Sequence, residues 1–381
     1  MPVNAFTSAV GAPLIGGDAL AERVLAEFGV ALASIFQVFG GQDSDAVVIH
    51  AMTVDGTPMA VKISRSPRVS GLLASAILAA AIPSGIPAPV LSTSGLPYSI
   101  VGGRRLSLTP WIGGFGAYES GMDAQQWQSF GALLSRVHAI QVPSTIADAL
   151  PTEDYRIPAA AVARTLDERI RQQAGSSQPA RSYAPTTDAL IRDWLAVGDR
   201  LAMILARIDD LGDELRAGTA PSVLCHGDAH IGNVQLRNTG EGNGANGGNG
   251  NDVNGADGGV WLLDWDEVVL APRERDLMFV IDGVLADALV TAEQRNWFFD
   301  GYGSANIDPI LLAYYRCSWA MQDVADYAAR ILNQPDEVST EASQALKLFR
   351  DVVSPSGIVS LAVRSLHQIG RMRPDPTYAN E

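Results

Sequence analysis

The run Leu224-Cys225-His226-Gly227-Asp228-Ala229-His230-Ile231-Gly232-Asn233, followed after a Gly- and Asn-rich interval by Leu262-Leu263-Asp264-Trp265-Asp266-Glu267, decides how the chain is read. Gly227 lets the backbone turn sharply, so that Asp228 presents its carboxylate at the end of a loop. Asn233 comes five residues later, and Asp264 closes the apolar run 260–263. These residues supply a proton acceptor and two hard oxygen ligands of the kind Mg²⁺ takes. That is the minimum equipment for phosphoryl transfer, in which an Asp accepts or orients the proton of the attacking hydroxyl while positioning and charge do the rest. Asp228 is therefore the expected base, and Asn233 and Asp264 are the expected metal ligands.

His226 and His230 stand four residues apart, a spacing that zinc sites use on helices. No Glu lies between them and Gly227 disfavours a helix, so a metalloprotease-type site is the weaker reading. His226 is expected to be a hydrogen-bonding residue of the loop, with His230 near the acceptor. Asp266 and Glu267 fit a cationic substrate, a second metal or a solvent-facing strand end. Asp276, at the start of a short helix, is expected to fix the catalytic segment through hydrogen bonds.

Upstream, residues 19–28 carry a helical apolar pattern, and strands are expected over 33–39, 46–53 and 59–63. Asp55-Gly56 between the last two is a hairpin signal. Between the first two lies Gly40-Gly41-Gln42-Asp43-Ser44-Asp45, whose small residues would let backbone N–H groups approach a phosphate, with Gln42 and Ser44 beside the nucleotide. Lys62 interrupts an apolar strand. A lone strand Lys usually faces solvent, but a three-strand antiparallel start, a strand Lys, a helix (72–82) and a distant Asp and Asn loop follow the order of parts in kinase-like phosphotransferases, where that Lys holds the phosphates. Further strands are expected at 87–91 and 98–101. The segment 109–114, rich in Pro and Gly, reads as an interlobe linker in which Thr109 C=O and Trp111 N–H would face an adenine edge. Helices follow at 123–138, 159–173 and 188–216, and after Asp276 at 292–302, 308–332, 338–352 and 358–369. The interval 238–259 is almost devoid of apolar residues and reads as an enlarged hairpin tip without chemistry.

With 381 residues, 47% hydrophobic and 18% charged, the composition suits a globular protein of two lobes. The formal charge of −15 disfavours nucleic acid and anionic membranes as partners and suits a cationic small molecule. Two distant cysteines, Cys225 and Cys317, do not suggest a disulfide scaffold. The N-terminal thirty residues lack a basic leader, and the apolar run 72–82 is too short to span a bilayer, so a cytoplasmic location is expected.

His226-Gly227-Asp228 with Asn233, then Leu263-Asp264-Trp265-Asp266 and the run from Pro272 to Leu277, resemble the aminoglycoside phosphotransferase and choline kinase family. The run Asp264-Trp265-Asp266-Glu267, then Leu270-Ala271-Pro272-Arg273-Glu274-Arg275-Asp276-Leu277-Met278-Phe279, resembles its spectinomycin-modifying branch. Phe39-Gly40-Gly41, the strand bearing Lys62, and Gly301-Tyr302-Gly303 ahead of Tyr314-Tyr315-Arg316 extend the likeness over most of the chain. The resemblance implies an α+β, two-lobed, protein-kinase-like fold: an antiparallel nucleotide-binding lobe (1–108), the linker (109–114) and a mainly helical lobe (115–381). It also implies ATP, Mg²⁺ and phosphorylation of a hydroxyl on a small aminocyclitol, with Lys62 on the phosphates, Asp228 as base and Asn233 and Asp264 on the metal. Beside it, Asp266, His230 and Asp323 are expected towards a cationic acceptor. Choline, a sugar or homoserine are alternative acceptors. No Asp or Glu occurs between Lys62 and Trp111, so the helical carboxylate that usually pairs with the strand Lys is missing. That departure leaves a non-catalytic, kinase-like binding protein as the reading from another class.

Overall fold

The computed structural model describes residues 6–7, 13–15, 17–37, 46–82, 84–175, 184–237, 259–333 and 339–370. Gln42 and Ser44, and nearly all of the interval 238–259, lie outside them. The chain folds as two compact units: Met1–Pro151, His226–Val269 and Trp297–Gly303 form one, and Thr152–Cys225, Leu270–Asn296 and Ser304–Glu381 the other.

The first unit is built on a five-stranded antiparallel sheet. Its strands run in the order Leu32–Gln37, Ala46–Thr53, Pro58–Ser64, Arg104–Pro110, Ser99–Val101. Period-two alternation gives this sheet its two faces. Val47, Ile49, Val61, Ile63, Leu106 and Leu108 are buried together against Leu20, Val24 and Phe28 of the helix Gly17–Phe28. The intervening residues, Val48, Ala60, Lys62, Ser107 and Thr109, are left for the opposite face, with Lys62 opposite Val48 on one side and Ser107 on the other. The Asp55-Gly56 turn forms as expected, with Gly56 at φ 85°. The expected strand at 87–91 does not form. Pro87 and Pro89 have no N–H to give, and Val90 makes one bond to Leu108 C=O at 2.8 Å.

A three-stranded antiparallel sheet, ordered Val260–Leu262, Val234–Leu236, Phe115–Gly116, belongs to the same unit, with Val234 opposite Leu262. The helix Ala124–His138 starts on a capping box of Asp123 and Gln126 and buries Trp127, Phe130, Leu133, Leu134 and Val137. His138, its last residue, places Nδ1 2.7 Å from the Tyr302 hydroxyl.

The second unit is mainly helical. The helix Pro309–Leu332, capped by Asp308, buries Tyr314, Tyr315, Arg316 and Cys317 among its core residues. Pro158–Gly175, Thr340–Val353 and Ile358–Gln368 are further helices of this unit. The single helix expected over 188–216 is two, Pro185–Ala196 and Gly198–Ala217. The break is at Val197 (φ −109°, ψ 6°), where a β-branched residue precedes a glycine and both are weak helix formers. Among the described residues no helix is long and apolar enough to cross a membrane.

Candidate active site

The loop bearing Asp228 takes its shape from a glycine and two histidines. Gly227 has φ 83°, and a Cβ there would sit 2.0 Å from the Glu267 carbonyl oxygen, so conformation and space both require glycine. His226 is fully buried. Its Nε2 lies 2.8 Å from the Leu263 carbonyl, while Nδ1 accepts the Asp228 N–H at 3.2 Å. Those partners fix the neutral tautomer with the proton on Nε2. One ring thus ties the loop bearing Asp228 to the residue before Asp264, and its edge contact with Trp265 (centroids 4.6 Å apart) packs it in place. His230 accepts the Gly232 N–H on Nδ1 at 3.0 Å and turns Nε2 towards Asp228 Oδ1 at 3.2 Å. Burial, reinforced by the nearby His226 and only partly opposed by Asp264, pulls its pKa down to about 4, so it is neutral at pH 7. Both ring nitrogens of His226 have partners on the loop or strand, and His226 and His230 form no zinc pair.

Asn233 ends a short 3₁₀ turn, Ile231–Asn233. Its side-chain Nδ2 donates to Asp228 C=O at 2.8 Å and to Asp228 Oδ2 at 3.0 Å. With the amide nitrogen held on Asp228, the carbonyl Oδ1 is turned the other way, as a metal ligand must be. Asp264 has left-handed backbone (φ 59°, ψ 71°) between the strand Val260–Leu262 and the 3₁₀ turn Trp265–Glu267, and its side chain is about half exposed. A carboxylate and an amide oxygen are the donor types Mg²⁺ prefers, so the residues present fit that ion.

Lys62 reaches this segment from the sheet. Its Nζ lies 3.1 Å from Asp264 Oδ1 and 2.8 Å from Asp266 Oδ2. Burial works against the charged amine, but the two carboxylates outweigh it and its pKa is raised. Arg105, whose side chain is 1% exposed, places Nη2 3.0 and 3.1 Å from the two oxygens of Asp266. For Asp266 burial is likewise outweighed, here by Lys62 and then Arg105, and its pKa is lowered. Asp266, expected to face an acceptor, is thus engaged by two cations of the sheet, and Glu267 pairs with Arg68 at 3.2 Å.

A cavity of about 390 Å³ opens between Lys62, Arg105 and Asp264 at one end and Val48, Ala60, Thr109, Trp111 and Leu263 along its walls. Its size and its pairing of a charged end with apolar walls fit a phosphorylated aromatic ligand. Thr109 lies inside the strand Arg104–Pro110, opposite Ala60. Trp111 N–H, expected to face an adenine edge, donates instead to Pro58 C=O at 3.0 Å, because the sheet ladder continues one residue past Pro110. Asp323 belongs to the second unit, half-buried on the helix Pro309–Leu332, and Asp276 is fully buried in the short helix Glu274–Leu277 of that unit. The residue that sequence reading missed is Arg105. Its signal was alternation: Leu106 and Leu108 face the core, which sends Arg105, Ser107 and Thr109 to the face of Lys62.

The family model described as phosphotransferase enzyme family, APH, matches residues 36–245, more than half of the chain. No curated protein sequence matches it. Among solved structures, spectinomycin phosphotransferase APH(9)-Ia in complex with ADP and spectinomycin is 22% identical with a TM-score of 0.77, over 92% of this chain and 98% of that one. Amicoumacin kinase hAmiN in complex with AMP-PNP, Ca²⁺ and Ami is 16% identical with a TM-score of 0.58, over 91% and 97%. An aminoglycoside phosphotransferase from Alicyclobacillus acidocaldarius is 14% identical with a TM-score of 0.51, over 95% and 98%. The shared fold is α+β and kinase-like, with an antiparallel N-terminal sheet and a mainly helical C-terminal part.

Proposed function

The chain belongs to the phosphotransferase enzyme family, and from that premise we propose that it transfers the γ-phosphoryl group of ATP to a hydroxyl of a small cationic acceptor. The observation that carries this reading is Asn233. Its amide nitrogen is held by Asp228, which leaves the amide oxygen for a metal and keeps one oxygen of the Asp228 carboxylate beside neutral His230. In the transfer the acceptor oxygen forms a bond to the γ-phosphorus, the bridging β–γ P–O bond breaks with its electron pair leaving on ADP, and the hydroxyl proton passes to Asp228. Lys62 holds the phosphates at the charged end of the cavity. Mg²⁺ bound by Asn233 Oδ1 and Asp264 would supply charge neutralisation on the phosphates. His226 keeps the base and metal-ligand segments in register.

For the acceptor, the finer reading is an aminocyclitol of the spectinomycin type. The sequence motif and the formal charge of −15 support it, and Asp323 is proposed to contribute a carboxylate. The test is mass spectrometry of spectinomycin after incubation with the protein, ATP and Mg²⁺, beside choline, homoserine and a sugar panel. A mass gain of one phosphoryl group on spectinomycin, lost in Asp228→Asn, is expected. Phosphorylation of another acceptor would overturn the aminocyclitol, and undiminished transfer by Asp228→Asn would overturn the role of the base.

A further inference from the structure

We propose that Asp266, clamped by Arg105, is the positioning carboxylate of Lys62, a task performed here from the segment that carries the metal ligand and not from the helix after the lysine strand. The proposal rests on the nucleotide-binding reading above. That helix, Ser70–Ala81, has no charged residue. It also leaves no space for one where it meets the segment: a Cβ on Gly71 would lie 2.2 Å from the Trp265 carbonyl oxygen and 3.1 Å from Asp266 Cα. Helix and segment meet backbone to backbone, and Asp266 lies just across that junction.

Two carboxylates touch Lys62, and their surroundings assign them different tasks. Asp264 is about half exposed and pairs with Lys62 through one oxygen. Asp266 is the closer at 2.8 Å, is 29% exposed, and is held through both oxygens by a guanidinium that is itself buried. A buried Arg needs an anion, and the pair it makes with Asp266 fixes the rotamer of that carboxylate. When Asp264 is engaged as a metal ligand, Asp266 remains to aim the Lys62 ammonium at the phosphates. Among the described residues Arg105 Nε and Nη1 have no hydrogen-bond partner, and the contacts of this guanidinium to Asp266 run through Nη2. The carboxylate that aims Lys62 and the metal ligand therefore sit on one short piece of chain.

A double-mutant cycle tests this. Asp266→Asn, Lys62→Ala and the double variant are compared by ATP affinity (calorimetry, with and without Mg²⁺) and by kcat and the KM for ATP and for acceptor. Asp266→Asn is expected to weaken ATP binding and lower kcat by roughly ten- to a hundredfold, the range for losing a residue that orients a functional group. The acceptor KM should stay unchanged. In the Lys62→Ala background the same substitution should have no further effect, because Asp266 acts through the lysine. Effects that multiply, or a change in acceptor KM alone, would overturn the proposal. If thermal unfolding shows Asp266→Asn to be misfolded, Arg105→Met in the same cycle carries the identical criterion. A wild-type protein that binds ATP without transferring phosphate would sink the catalytic reading while the affinity cycle still decides Asp266; one that binds no ATP would sink both.

Discussion

His226→Phe isolates the link between Asp228, the proposed base, and the segment of Asp264, the proposed metal ligand. The substitution keeps an aromatic ring of similar size against Trp265, so little volume is lost, but both polar atoms disappear. The Leu263 carbonyl loses the donor at 2.8 Å and the Asp228 N–H loses the acceptor at 3.2 Å, at a residue with no solvent exposure. Leaving a buried polar group unpaired costs about 1–3 kcal/mol, so the two together predict a loss of about 2–6 kcal/mol in unfolding free energy. The longer of the two bonds places Asp228 at the low end of its share. The catalytic consequence is separable, because a shift of about 1 Å in a reacting group lowers turnover by about a hundredfold. Urea unfolding measures the first quantity, and kcat at saturating ATP and acceptor measures the second in the fraction that remains folded. Stability within about 0.5 kcal/mol of wild type would refute the hydrogen-bond reasoning. A destabilised variant with unchanged kcat would show that the ring holds the fold without orienting Asp228.

Two further outcomes follow from the same site. Gly71→Ala places a methyl 2.2 Å from the Trp265 backbone oxygen, where no flexible side chain can give way; a loss of about 1–3 kcal/mol in stability and weaker ATP binding are expected, and equilibrium unfolding with ATP titration checks both. His230 has a native pKa of about 4 against an ordinary 6.5, so between those values the unfolded chain takes up a proton that the native protein refuses. Its contribution is therefore complete above pH 6.5 and is lost on acidification towards pH 4, by about 3 kcal/mol. The difference between wild type and His230→Gln in denaturant titrations at pH 7 and pH 5 isolates this from the carboxylates, and a pH-independent difference would contradict it.

The parts of this protein that are local in sequence were legible, and those that depend on sheet register were not. The helix start at Asp123 follows from a pattern within a few residues, and the strands Val234–Leu236 and Val260–Leu262 each follow from a short apolar run. The Asp228 and Asn233 contact likewise joins residues only five positions apart. By contrast, Arg105 and Asp266 stand 161 positions apart, and nothing near either one announces the pairing. It emerges once the strand Arg104–Pro110 is set beside Pro58–Ser64, with Ser107 opposite Lys62. The missing helix carboxylate was visible as an absence, whereas its replacement required the fold. Trp111 is a similar case: Pro110 looks like the end of a strand and would leave the next N–H free, yet Pro110 is still paired with Met59 and the ladder runs on.

The backbone at Asp264 shows what the site demands of the fold. A non-glycine residue at φ 59° and ψ 71° is uncommon, and holding it there costs of the order of 1 kcal/mol. The left-handed turn ends the strand Val260–Leu262 abruptly and starts a 3₁₀ turn. In continued strand, residues 264 and 266 would face one way some 6–7 Å apart. In the observed turn both carboxylates close on a single ammonium, at 3.1 and 2.8 Å. Trp265 between them secures the turn: its ring is buried, its Nε1–H donates to Leu262 C=O at 3.1 Å, and it makes the edge contact with His226. The strained residue is thus held from beneath by an aromatic anchor and from the sheet by Lys62. Strain, anchor and ion pairs occupy the same few residues, as the proposed double task of presenting a metal ligand and aiming a lysine requires.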